Sequence, residues 1–152
     1  MPRIVSGTAK GMTIKVPKSA RPTPDMVREA VFNRLTHRGY LDNTYVLDLY
    51  AGSGAFGLEA ASRGARTVTA VEASREAAGT IKANASKTGL EIHVVQQKVE
   101  TFLATPGTQY DVIFLDPPYD LDQEALALAL ERAVPHLVHD GLLIVERSKH
   151  SV

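Results

Sequence analysis

The sequence predicts an α/β fold: a mainly parallel sheet with helices on both faces, preceded by a small N-terminal β-hairpin. Three observations lead there. From residue 44 onward, short apolar or β-branched runs alternate with helical patterns. The first of those runs ends in a glycine-rich loop, Asp48-Leu49-Tyr50-Ala51-Gly52-Ser53-Gly54-Ala55-Phe56-Gly57. Finally, 152 residues, 44% of them hydrophobic, suffice for one domain with one sizeable core and not for two.

The elements follow in order. Arg3–Ser6 and Met12–Val16 are strand-like, with Gly7 and Gly11 bracketing a turn. Pro17 and Pro22 break the chain. Thr23-Pro24-Asp25 starts a helix, with Thr23 as N-cap and Asp25 near the positive dipole end. Val27, Val31 and Leu35, with Met26 and Ala30, form the expected inner face of this helix, which runs to about Arg38 and stops at Gly39. Tyr45–Leu49, Thr67–Val71, Ile92–Gln96, Tyr110–Leu115 and Leu142–Val145 read as strands. Ala55–Arg63, Ser74–Lys87 and Leu121–Ala133 read as helices, and Val99–Leu103 as one helical turn. Short buried strands separated by helices imply a parallel sheet covered on both sides. Residues 1–24 are thus a basic arm, and 25–152 hold the rest of a single domain.

The net charge is 0 over the whole chain, but it is unevenly spread. Residues 1–38 carry +6 and the remainder −6, and residues 1–24 contain no acid. A basic arm on an acidic body suggests a polyanionic partner, either nucleic acid or, more blandly, nothing beyond solvent. Cysteine is absent, which excludes disulfides, thiolate metal sites and cysteine nucleophiles. No apolar run approaches a membrane span, and Met1–Ser6 lacks the apolar core of a signal peptide, so a cytoplasmic location is expected. The five histidines show no metal spacing with acids and are expected at the surface or as incidental polar residues.

Glycines let the loop turn tightly, and the helix that follows offers free N–H groups. The spacing Gly52-x-Gly54-x-x-Gly57 fits a dinucleotide fingerprint, and Glu72, ending the second strand, could take the two hydroxyls of a ribose. The alternatives are that Asp48 fixes the loop backbone and that Glu72 caps the next helix. An acid four residues ahead of the first glycine, with a second acid ending strand two, resembles class I S-adenosylmethionine-dependent methyltransferases of Rossmann-like fold. Asp48, Tyr50, Gly52, Ser53, Gly54 and Glu72 are then the cofactor-binding candidates.

The fourth strand ends in Asp116-Pro117-Pro118-Tyr119. Two prolines remove two backbone donors and stiffen the loop. The tetrapeptide resembles the (Asp/Asn/Ser)-Pro-Pro-(Tyr/Phe/Trp) motif of methyltransferases that act on planar amino nitrogens. Such an amine is a poor nucleophile, because its lone pair is delocalised. The Asp116 carboxylate and the Pro117 carbonyl can accept hydrogen bonds from it, favouring a tetrahedral nitrogen and stabilising developing positive charge. Tyr119 can stack on the base, while the rigid Pro117-Pro118 pair holds the geometry.

The match narrows further. Arg3-Ile4-Val5-Ser6-Gly7, then Arg21-Pro22-Thr23-Pro24-Asp25-Met26-Val27-Arg28-Glu29-Ala30-Val31-Phe32-Asn33, is similar to the N-terminal pattern of the RsmD family. So are residues 48–60, Ser62-Arg63-Gly64-Ala65 and Phe114–Tyr119. The resemblance implies a bacterial 16S ribosomal RNA guanine-N2 methyltransferase. Its partner would be 16S rRNA or the assembling small subunit, with no membrane contact, and it would act as a monomer. Arg3, Lys10, Lys15 and Lys18 would contact RNA, Arg21 and Thr23 would lie near the pocket, and Arg28 would support it or reach phosphate; otherwise Arg28 and Glu29 are a helix-surface pair. Many relatives carry Asp or Asn where Lys98 stands. Lysine cannot accept a hydrogen bond, so the adenine contact is expected to fall to the Val99 backbone. Relatives also continue through an antiparallel strand pair after the fifth strand, so the chain is expected to be truncated or a shortened member. Two other readings keep the fold: an adenine-N6 DNA or protein-glutamine methyltransferase using the same tetrapeptide, or an RNA-binding module with impaired catalysis.

Overall fold

The computed structural model describes residues 2–18, 24–118 and 121–146. Its elements are α1 (Asp25–His37), β1 (Tyr45–Leu49), α2 (Ala55–Ser62), β2 (Thr67–Glu72), α3 (Arg75–Thr88), β3 (His93–Gln96), α4 (Val99–Ala104), β4 (Tyr110–Leu115), α5 (Gln123–Ala133) and β5 (Leu137–Val145). All five strands pair in parallel, in the order β3-β2-β1-β4-β5. The predicted α/β architecture is therefore present. No described helix is long and apolar enough to cross a membrane.

Alternation along the strands divides the core into two sides. Leu47, Leu49, Val71, Ile113 and Leu115 pack against Val99 and Leu103 of α4 and Leu126 and Ala129 of α5. Val46, Val68, Val112 and Phe114 pack against Phe32 and Leu35 of α1 and Phe56 and Ala60 of α2. Three aromatic rings anchor that side: Phe32 lies 5.1 Å from Phe114 and 6.0 Å from Phe56, and Phe56 lies 5.2 Å from Phe114. Ala70 and Ile81 place α3 on the same side.

The arm is a tightly turned hairpin with a single antiparallel bridge, Arg3 to Thr13, among the described residues. It folds onto the body instead of standing free. Ile4, Ala9 and Ile14 are buried against Ala55 and Leu58 of α2 and Ala85 of α3. Its polar backbone is met by side chains of those helices. The Glu59 carboxylate accepts from the N–H groups of Val5 (2.8 Å) and Ser6 (3.1 Å). Ser62 Oγ accepts from Ala9 N–H (2.9 Å) and donates to the Ser6 carbonyl (2.7 Å). At Gly7, φ is +89° and a Cβ would stand 1.9 Å from the Ser62 carbonyl oxygen, so only glycine fits this approach.

The inner face of α1 departs from the expected one. Leu35 is buried and Val31 packs against the core as expected, but Arg28 and Phe32 are buried with them, whereas Met26, Val27 and Ala30 are exposed. Arg28 turns inward because its charge is met there. It donates to the Arg3 carbonyl and to Asp25 (2.7 Å), and its Nε lies 3.6 Å from Glu59. Glu59 also takes Arg63 at 2.8 Å. Partial burial pushes the Asp25 carboxyl up, but the Arg28 guanidinium and the Arg3 N–H outweigh it and hold the group below its ordinary range. Arg28 is therefore a buried internal brace and not part of an exposed helix-surface pair. Pro24 occupies the N-cap position of α1, and Thr23 lies outside the described residues.

Two smaller corrections concern the end of the chain. β5 starts at Leu137, before the expected Leu142, because the turn-like His139-Asp140-Gly141 is absorbed as an irregularity opposite β4. Asp140 takes the positive φ of 66° that this needs. His136 is not at the surface: it is buried, its ring nitrogen bonds the Leu103 carbonyl (3.0 Å), and it stacks near Phe102.

Removing one partner from a buried charge network leaves the others uncompensated, at a cost of about 3–5 kcal/mol. Glu59→Ala is therefore expected to lower the unfolding free energy by about that amount, with Glu59→Gln milder because the amide keeps one acceptor. Urea denaturation checks this, and a loss below about 1 kcal/mol would contradict the network's role.

Candidate active site

Strand register brings the candidate residues into one row. Leu49 on β1 is level with Val71 on β2 and Leu115 on β4. The next residue on each strand is therefore at the same height: Tyr50, Glu72 and Asp116. Neighbouring strands lie about 4.8 Å apart, so the glycine loop emerges directly between the two acids.

The loop is built from left-handed backbone. Tyr50, Gly52 and Gly54 have φ of 57°, 60° and 82°. A turn closed by the Gly54 N–H on the Ala51 carbonyl (2.8 Å) brings the chain from β1 into α2, with Gly54 as the N-cap. A tyrosine in this region is uncommon and marks a position held by its surroundings. Burial, helped by the Glu100 charge, pushes the Tyr50 phenol above its ordinary pKa.

Asp48 points beneath the loop. It is 1% exposed, and its Oδ2 accepts from the Gly57 N–H at 3.0 Å. The first turn of a helix is where a dinucleotide fold seats a pyrophosphate. Here a protein carboxyl group already occupies part of that place. Gly57 permits it, since a Cβ there would lie 3.2 Å from Asp48 Oδ2 and 3.0 Å from Val68. Asp48 Oδ1 is buried with no hydrogen-bond partner among the described residues. Burial pushes its carboxyl well above the ordinary range; the Gly57 N–H opposes this, and the charges of Asp116 and Glu72 add to it.

Glu72 holds the loop from the other side. Its Oε1 accepts from Gly52 N–H (2.9 Å) and its Oε2 from Ser74 N–H (2.8 Å). Both backbone-fixing alternatives are thus realised: Asp48 braces the start of α2, and Glu72 braces the loop and the entry to α3. Neither role exhausts a carboxylate, which has about four lone-pair sites.

Ser53 is buried, and its carbonyl accepts from Asn84 Nδ2 at 3.0 Å. Asn84 also exchanges bonds with the backbone of Lys15, at 2.8 and 2.9 Å. One side chain of α3 therefore ties the arm to the glycine loop. The sequence reading missed it. Its signal was a polar residue on the otherwise apolar stripe Ala77, Ala78, Ile81 and Ala85. Val99 is buried at the start of α4, next to Lys98.

Asp116 is half-buried, Pro117 buried and Pro118 exposed, where β4 gives way to the loop. The Pro118 carbonyl accepts from Leu121 N–H at 3.1 Å. Tyr119, Arg21 and Thr23 lie outside the described residues. Arg3, Lys10, Lys15 and Lys18 are exposed on the arm, away from the core. No group of histidines, aspartates and glutamates suited to a metal occurs among the described residues.

The arrangement suits a cationic ligand. The Glu72 and Asp116 carboxylates flank the loop, and the buried Asp48 carboxyl group beneath it takes one N–H of the helix terminus that would otherwise attract a phosphate. A family model described as conserved hypothetical protein 95 matches residues 2–152. A putative rRNA methyltransferase of Bacillus subtilis is 36% identical over 97% of this chain and 83% of its own length. Ribosomal RNA small subunit methyltransferase D of Haemophilus influenzae is 36% identical over 97% of this chain and 79% of its own. The solved structure of a putative methyltransferase from Escherichia coli superposes with a TM-score of 0.82, at 34% identity over 99% of this chain and 82% of that one.

An Asp with a raised folded pKa binds its proton more tightly when folded. Its contribution to stability is full below the unfolded pKa and is lost as pH rises through the folded one. Asp48→Asn should flatten that loss. Urea unfolding from about pH 4 to pH 8 is expected to show the parent losing stability relative to the variant with rising pH; a parent that gains on the variant would contradict it.

Proposed function

We propose that this chain, which belongs to the RsmD family of ribosomal RNA small subunit methyltransferases, transfers a methyl group from S-adenosylmethionine to the N2 amine of a guanine in 16S rRNA. The observation that carries the reading is the register of β1 and β4. It sets the glycine loop and Asp116-Pro117 side by side, which supports a donor site and an amine-acceptor site on one edge. Membership of the family supports the substrate class.

The residues present fit the cofactor. It carries a sulfonium and an ammonium, and the loop residues 49–57, which contain no lysine or arginine, lie beside the carboxyl groups of Asp48 and Glu72. Tyr50, Gly52, Ser53 and Gly54 would line it, Glu72 would take the ribose hydroxyls with its remaining lone pairs, and the Val99 backbone would meet the adenine. When bound, the cofactor supplies an electrophilic methyl group. NAD fits less well, since its pyrophosphate would meet Asp48 at the head of α2 and two more acids nearby.

The chain's own contribution is to prepare the amine. Asp116 and the Pro117 carbonyl accept its two hydrogens and draw the nitrogen lone pair out of conjugation. The same acceptors stabilise the positive charge that grows on nitrogen as the N–C bond forms. The proton is held at the Asp116 carboxylate until it leaves to solvent. Prolines 117 and 118 restrict the loop, so the acceptors are in place before the base arrives. Tyr119 supplies an aromatic face for the base in this reading, with Arg21 and Thr23 near the pocket. Arg3, Lys10, Lys15 and Lys18 hold RNA through phosphates. The protein acts in the cytoplasm, as a monomer, where its RNA substrate is assembled.

Methylation of ribosomal RNA from a strain lacking the enzyme, with the modified base mapped, tests the assignment directly. Asp116→Ala should lower single-turnover methyl transfer by about 10²–10³-fold with cofactor affinity retained; a near-normal rate in the folded, cofactor-bound variant would refute the role. Replacing Lys10, Lys15 and Lys18 by Glu should weaken RNA binding and flatten its salt dependence, because fewer counterions are released. A variant with the parent's salt slope would remove the arm from the interface.

A further inference from the structure

Met26 is 80% exposed and Val27 37%, in the first turn of α1, with exposed Pro24 just ahead of them. A lone exposed hydrophobe needs no explanation, but three apolar side chains within four residues form a patch.

Its position follows from the packing. α1 runs down the sheet face to Tyr40 and Leu41, whose carbonyls accept from Thr44 Oγ1 at 2.8 and 2.7 Å just before β1 begins. The first turn of α1 is therefore at the opposite end, where the strands finish. Phe32 sits level with Phe114, 5.1 Å away. Met26 is six residues above Phe32, about 9 Å along a helix. Asp116 is two residues beyond Phe114, about 7 Å along a strand. Met26 and the candidate catalytic acid thus stand at similar height on the same end of the molecule. Side chains of a helix lean toward its N-terminus, which carries the methionine toward that rim.

The turn bearing the patch is unusually well braced. Arg28 is fully buried beneath it and grips both Asp25 and the Arg3 carbonyl. Asp25 in turn accepts from the Arg3 N–H at 3.3 Å, and the exposed Arg3 guanidinium lies 3.9 Å from it. An apolar tip on a stiff base, beside the solvent-facing Arg3 guanidinium, matches a nucleic-acid wedge: the cation meets a phosphate while the tip replaces lost base stacking.

Resting on the methyltransferase reading above, we propose that Met26, with Pro24 and Val27 beside it, is an apolar wedge that stacks on the base next to the target guanine when that guanine leaves its stack. Extruding a base costs unstacking energy, and a preformed apolar surface offsets it. A wedge matters only where there is stacking to undo. A duplex or hairpin substrate depends on it, whereas an unpaired strand does not.

The test uses the full chain and two RNAs carrying the guanine that the parent modifies, one folded as a hairpin and one an unpaired oligonucleotide of the same sequence. Single-turnover rates at saturating cofactor are compared for the parent, Met26→Ser and Met26→Leu. The serine variant is expected to lose about tenfold on the hairpin, the scale of one lost stacking contact, and to match the parent on the unpaired strand. The leucine variant should keep most of the hairpin rate. Thermal stability should not move, because the side chain is exposed. Equal hairpin rates for parent and serine variant overturn the wedge and leave the patch to a protein partner. An equal loss on both RNAs also overturns it, since the contact would then be unrelated to unstacking. A methyl group mapped anywhere but the N2 of a guanine in ribosomal RNA from a strain lacking the enzyme overturns the guanine reading itself and is distinguishable from both.

Discussion

A carboxyl group buried under the head of a helix sets the character of this molecule's ligand site. Asp48 leaves β1 facing α2 and meets the Gly57 N–H there. That bond satisfies a donor that a helix terminus otherwise presents to a ligand. Glycine at 57 eases this approach, since a Cβ there would press on Asp48 and Val68, and the intervening loop passes through left-handed conformations at Tyr50, Gly52 and Gly54. Glu72 then closes the loop from β2 through Gly52. A fold that elsewhere seats phosphates at this point has here surrounded the same loop with acids.

The second constraint is the way the arm is fixed. A hairpin of this size has too small a core to be stable alone. It is held by side chains that α2 and α3 send outward: Glu59, Ser62 and Asn84. Because Asn84 bonds both Lys15 and Ser53, arm and glycine loop share a single support. Because Glu59 faces both Arg28 and Arg63, the arm, α1 and α2 share another. The basic residues on the arm therefore project from a fixed frame, at a set distance from the strand ends. That geometry suits a polyanion that must present one base to one site.

Much of this was legible in the sequence. Apolar runs separated by helical periods give the five strands and their parallel pairing, and Tyr45–Leu49 and Tyr110–Leu115 fall where the pattern puts them. The glycine spacing and the Asp116-Pro117-Pro118 run fall at adjacent strand ends, as the pattern predicts for the candidate site. What the pattern hid were the places where charge is buried. Arg28 reads as a surface residue, so the inner face of α1 was set one step round the helix, on Met26 and Val27. Its burial depends on Glu59, thirty-one residues later in the chain, and periodicity carries no information about such a partner. Asn84 was hidden for the same reason. The early start of β5 was masked by Asp140-Gly141, whose turn chemistry is used inside a strand irregularity and not between elements. His136 looked incidental because its acceptor, a backbone carbonyl of α4, has no sequence signature.

The central claim is that the acid-filled loop accepts a cationic methyl donor in place of a dinucleotide. Titration calorimetry of the purified chain with S-adenosylmethionine and, separately, with NAD addresses it most directly. A saturable isotherm for S-adenosylmethionine that weakens in Glu72→Ala is expected, with no measurable binding of NAD. Preferential binding of NAD, or an affinity for S-adenosylmethionine indifferent to the loss of Glu72, would contradict it.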